Sequence, residues 1–127
     1  RPRSMTQTSA IEDPIIQHHY GQFYVQIEAA NLVVKKADQL LQQLWDHPET
    51  ITADERSELN NALQTAKIFT TQVGLDITSK IFEVMGSRST ASHYGFDRYW
   101  RNLRTMTLHV PVDTSLQALG KKFLLGE

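Results

Sequence analysis

The 127-residue chain contains no cysteine. That absence excludes disulfide frameworks, thiolate metal sites and cysteine nucleophiles together. No apolar run approaches the roughly 18 residues that a membrane-spanning helix needs. Neither sign of charge dominates: 13 lysines and arginines stand against 14 acidic residues, a formal net charge of −1. No overall field therefore recruits nucleic acid or an acidic membrane, and any anion site has to be local. There is no internal repeat, low-complexity segment or Gly/Ser linker. With 40% apolar residues, the expectation is one soluble, cytoplasmic domain with a modest core and no nucleic-acid or membrane partner. The chain opens Arg1-Pro2-Arg3-Ser4 and shows no apolar periodicity before Ile11. This reads as a disordered or linker lead-in over 1–12, ahead of a domain over 13–127, within a longer product.

What is present is helical patterning. Apolar residues fall at Ile16, Tyr20, Phe23, Ile27, Ala30, Val34, Ala37, Leu41 and Leu44, in alternating steps of four and three that predict one long helix with a coiled-coil-like seam. Asp13-Pro14 suits its start and His47-Pro48 its end. Thr52-Ala53-Asp54-Glu55 reads as a capping box. The helix it opens carries Leu59, Ala62, Ala66, Phe69, Val73, Ile77, Ile81 and Val84 and stops at Gly86. The short connection between two such helices forces an antiparallel hairpin. Asp97 leads a third, shorter helix to about Thr107. Pro111 breaks the pattern, and a last helix starts near Asp113 or Thr114. The expected fold is all-α, an up-and-down four-helix bundle.

Chemistry-bearing residues are few. Di-metal carboxylate bundles use Glu-x-x-His, and no acidic residue here has a histidine three positions on. His18 and His19 are adjacent, about 100° apart on a helix, which is poor geometry for one metal; the expected metal set is empty. The turn Gly86-Ser87-Arg88-Ser89-Thr90 offers hydroxyls and one guanidinium that fit a phosphate, although the same residues equally make an ordinary helix C-cap and polar loop. Arg98, Arg101 and Arg104 recur every third residue as a basic face, with Asp97 placed to pair with Arg101. A lone His109 before Val-Pro-Val is more often structural than catalytic, and its spacing leaves both roles open.

The segments IFEVMGSRSTAS, YGFDRYWRNLRTMTLHVPVD and LGKKFLLGE together resemble the C-terminal helical domain of the acyl-CoA dehydrogenase superfamily. The resemblance runs from about Asp13 to the end. Within that superfamily the pattern Trp100-Arg101-Asn102-x-Arg104-Thr105-x-Thr107-x-His109 is similar to the flavin-dependent monooxygenase branch typified by dibenzothiophene monooxygenase. Dehydrogenases of the superfamily can carry a catalytic glutamate at the corner before the last helix. This chain has His109-Val110-Pro111 there. A carboxylate in a dry pocket suits C–H abstraction, whereas an imidazole exchanges protons near neutrality.

The resemblance implies an oxidoreductase that uses FMN, or FAD, reduced by a separate reductase, and oxygenates a small apolar substrate, sulfur compounds among the candidates, through a flavin hydroperoxide. It implies a homotetramer with the flavin across a subunit boundary, Ser87 and Arg88 at its phosphate, and His109 both cofactor-binding and catalytic beside its ring. Arg101 and Arg104 are implied to hold the bundle corner through ion pairs and carbonyl contacts, and Trp100 to pack. Two departures mark this chain: relatives often read Thr-His-Thr-x-His-Asp-Pro, where it has Met106 and Val110. An acyl-CoA dehydrogenase and a helical oligomerisation module without chemistry are the alternatives. The isolated segment is expected to be inactive.

Overall fold

A computed structural model describes residues 9–126. The lead-in expected over 1–12 lies outside the described residues as far as 8. From there, Ala10–Glu12 form a 3-10 turn in which Ser9 and Glu12 cap each other. Four helices follow. Helix α1 (Pro14–Trp45) starts as expected, with Pro14 in its first turn and the Asp13 carboxylate accepting the Ile15 N–H at 2.9 Å. A 3-10 turn at Pro48–Thr50 leads to α2 (Ala53–Met85), whose Thr52/Glu55 capping box is fully formed. The Thr52 N–H donates to the Glu55 carboxylate at 2.9 Å and the Glu55 N–H to the Thr52 hydroxyl at 3.1 Å. The first of these bonds holds the Glu55 carboxyl below its ordinary range. Gly86 ends α2 at φ 83°, a left-side backbone that a Cβ resists.

The hairpin of α1 and α2 is in antiparallel register. His19 pairs with Glu83 at 3.2 Å near one end, and Gln26 Nε2 donates to Asp76 Oδ2 at 2.8 Å a further two turns along. The Gln26 amide, and then the Lys80 ammonium, hold the Asp76 carboxyl below the usual carboxylate range. A depressed folded-state pKa means stability that is present above the ordinary carboxylate value, ~4, and is lost as pH falls through the lowered one. Asp76→Asn is therefore expected to cost about 1 kcal/mol at pH 7 and progressively less as the pH is lowered through the acid range; thermal unfolding across a pH series checks it.

Helix α3 (Asp97–Leu108) returns along the C-terminal half of α2. Phe96 and Tyr99 share a small apolar cavity with Ile77, Thr78, Ile81 and Met85, and Leu103 sits on Gly74. Each step up α3 is thus a step down α2. A Cβ added at Gly74 would stand 2.7 Å from a Leu103 methyl. Gly74→Ala should be nearly neutral, since the methyl can swing aside and alanine gains about 1 kcal/mol over glycine in a helix. Gly74→Leu should lower stability by about 1–3 kcal/mol by wedging α3 off α2, read as a lower Tm.

The all-α class and the four helices are as expected. The alternation of direction holds through α3 and then changes. Helix α4 (Val112–Leu125) begins a residue or two earlier than the sequence suggested and runs on in the direction of α3, along the N-terminal half of α2. Near its end, Lys122 Nζ donates to Ser57 Oγ and to Asn61 Oδ1. The cause is the corner: His109 is still helical, and one extended residue, Pro111 at ψ 137°, bends the chain without reversing it.

This arrangement leaves a thin core. Ile16, Phe23, Ala37 and Leu44 are buried from α1, and Ala66, Ile68 and Val73 from α2. The single seam expected on α1 is only half covered. Tyr20, Ile27, Val34 and Leu41 alternate with the buried set and are exposed, because four residues rotate about 40° away from the line of contact and one neighbouring helix covers only one flank. The flank that α2 does cover holds Gln26, Val33 and Leu40, all half-buried. No helix among the described residues is long and apolar enough to cross a membrane.

Candidate functional site

Ser87 and Arg88 lie in a 3-10 turn, Ser87–Thr90, beyond the Gly86 stop. The turn satisfies itself. Ser89 Oγ donates to the Gly86 carbonyl at 2.6 Å and Thr90 Oγ1 to the Ser87 carbonyl at 2.7 Å. Those bonds occupy two of the three hydroxyls; Ser89 is buried, while Ser87, Arg88 and Thr90 are exposed. Among the described residues no carboxylate pairs with Arg88. An exposed guanidinium without an acidic partner keeps its fork of donors available to a phosphate or carboxylate. The phosphate end of a flavin fits this turn on that ground.

His109 closes α3, its ring exposed at the corner. Nδ1 lies 3.3 Å from the Thr105 carbonyl, one of the last carbonyls of α3 without a helical partner. A carbonyl only accepts, so this contact is a hydrogen bond when Nδ1 carries the proton, and Nε2 is then the ring nitrogen left for another partner. The contact comes from backbone four residues earlier in the same helix. Sequence reading missed this contact, although the i−4 carbonyl of any helix-ending histidine is in reach.

The other singled-out residues play smaller parts. Arg101 makes the expected pair with Asp97, but at 3.9 Å and with both side chains largely exposed it holds little. Arg98 folds over the Tyr99 ring, 5.0 Å from its centroid, and donates to its hydroxyl at 3.1 Å. Arg104 is half-buried and Trp100 is 40% exposed. His19 meets Glu83, while His18 is exposed. No three metal-ligating side chains converge among the described residues.

One chain does not bring Arg88 and His109 together. Register along α2 sets Leu103 level with Gly74, so His109 stands near the level of Ile68, while Arg88 lies past Met85. At 1.5 Å per residue the two are roughly 25–30 Å apart along the axis. That exceeds the length of an extended flavin mononucleotide.

The chain is thus an all-α domain, a hairpin with two further helices laid end to end, with an exposed guanidinium in the turn after α2 and an exposed imidazole at the α3–α4 corner. Residues 1–114 match the family described as acyl-CoA dehydrogenase, C-terminal domain, and the chain belongs to that family. Among relatives, it is 46% identical to dibenzothiophene monooxygenase of Mycolicibacterium goodii over 117 residues, 92% of this chain and 28% of the relative. It is 44% identical to a probable FMNH2-dependent monooxygenase, SfnC, of Pseudomonas putida, over 94% of this chain and 30% of that protein. Among solved structures, methanesulfinate monooxygenase MsuC of Pseudomonas fluorescens superimposes with a TM-score of 0.91 at 41% identity, over 100% of this chain and 33% of the other. FMN-bound TdsC of Paenibacillus sp. A11-2 gives 0.88 at 34% identity, over 94% and 30%. The chain therefore spans about a third of the length of the proteins it matches.

Proposed function

We propose that the chain is the C-terminal domain of a two-component FMN-dependent monooxygenase that oxygenates a small apolar, sulfur-containing substrate in the cytoplasm, where a separate reductase supplies reduced flavin. The observation that carries this reading is the corner itself. Between Thr105 and Val112 there is no carboxylate, and the group presented there is an exposed imidazole whose Nδ1 faces the Thr105 carbonyl. The acyl-CoA dehydrogenase alternative lacks its base at this position. FMN is favoured over FAD by the relatives: SfnC is named for FMNH2 and TdsC holds FMN.

Reduced flavin, when bound, supplies the two electrons with which one atom of O2 passes to the substrate and the other leaves as water. The residues of this chain bind and manage protons. Arg88, with Ser87, holds the phosphate by charge-assisted hydrogen bonds. His109, its Nδ1–H tied to the Thr105 carbonyl, holds or gives up a proton at Nε2 beside the ring. The axial distance between them supports a cofactor shared between protomers, Arg88 from one and His109 from the other. The exposed Tyr20, Tyr24, Val25, Leu32 and Trp45 of α1 support burial of this helix against other parts of a homotetramer. Assay of the full-length protein with FMN, an FMN reductase and NADH tests the reading: oxygenated product that depends on all three is expected, and acceptor-dependent oxidation of an acyl thioester under anaerobic conditions would favour the dehydrogenase.

A further inference from the structure

The sequence distinguishes Met106 only as a departure, but the helix gives it a position. Asn102, Met106 and His109 follow one another at steps of four and three, so they form one stripe on α3, flanking the side on which Tyr99, Leu103 and Thr107 pack. All three are exposed. The His109 ring folds back over the last turn to reach the Thr105 carbonyl, which lays it along the segment that bears Met106. Met106 is 67% exposed, and no residue of the described chain requires a thioether there for packing.

The charges nearby decide what this surface accepts. Arg101 is turned to Asp97, Arg98 lies over Tyr99, and Arg104 is half-buried on another face. Within two turns of His109 the stripe offers an amide and a soft, polarisable thioether and no cation. A sulfinate or sulfonate would find no counter-charge there, whereas a neutral aromatic or thioether group gains dispersion and sulfur–aromatic contact.

We infer that Met106 is a specificity-determining residue of the oxygenation site, contacting the substrate beside His109 and selecting neutral aromatic or thioether sulfur compounds over small sulfur oxyanions. The inference rests on the monooxygenase reading. It is tested with the full-length protein and two probes of opposite chemistry, dibenzothiophene and methanesulfinate. Met106→Gln should raise the dibenzothiophene KM, and its Kd on the oxidised FMN-bound protein, about 10-fold, with kcat and FMN affinity nearly unchanged. Met106→Leu, which keeps size and apolarity, should stay within about 3-fold of wild type. Met106→Arg should shift the ratio of kcat/KM values toward methanesulfinate. Oxygenated product from the wild type with dibenzothiophene Kd and substrate ratio unmoved in the Gln and Arg variants overturns the inference alone. Absence of any flavin-dependent product from the wild type overturns the monooxygenase reading and the inference with it.

Discussion

His109→Ala in the full-length protein should lower oxygenated product by 10²-fold or more while FMN affinity stays within about 3-fold of wild type, since proton transfer by a positioned imidazole contributes roughly 10²–10⁴ in rate. The consumption of reduced flavin should continue, with O2 leaving as hydrogen peroxide. The ring has one fixed bond, to the Thr105 carbonyl, and is otherwise exposed, so its loss removes no packing and the fold should be retained. Measuring product and peroxide in parallel separates this result from a binding defect. Unchanged coupling of flavin oxidation to product would remove His109 from the chemistry.

Arg88→Ala should have the second largest effect, and on a different quantity. A guanidinium that meets a phosphate with paired hydrogen bonds contributes about 1.5–3 kcal/mol, so FMN affinity should fall roughly 10- to 100-fold. Arg88→Lys should recover part of the loss, because a lysine keeps the charge but not the planar fork. At saturating FMN the alanine variant should still couple oxygen to product. Equilibrium titration with FMN is the check, and an affinity equal to wild type would return the turn to the ordinary helix cap that its internal hydrogen bonds already make.

Much of the fold was legible because local chemistry dictated it. Asp13-Pro14, the Thr52/Glu55 box and Gly86 are helix punctuation whose partners sit within four residues, and each appears where the pattern put it. The direction of α4 was not legible: the three-residue corner at His109–Pro111 permits either a reversal or a bend, and only the reach of Lys122 to Ser57 and Asn61 chooses. The α1 seam misled for a related reason. Its period is correct, but Tyr20, Ile27, Val34 and Leu41 belong to a surface that this chain does not cover itself. At the site, Ser87, Arg88 and His109 stood out by type and family pattern. Their separation along α2 needed the register of α3 on Gly74, whereas the carbonyl behind His109 is one helical turn away in the sequence.

That separation carries the central claim, that each flavin takes its phosphate anchor and its imidazole from different protomers. Arg88→Ala and His109→Ala subunits, each inactive alone at limiting FMN, can be co-expressed and the mixed oligomer assayed. With the two residues in different chains, a mixed pair rebuilds one intact site, and random pairing should restore roughly a quarter of wild-type activity. A mixture no more active than its parents would contradict the account.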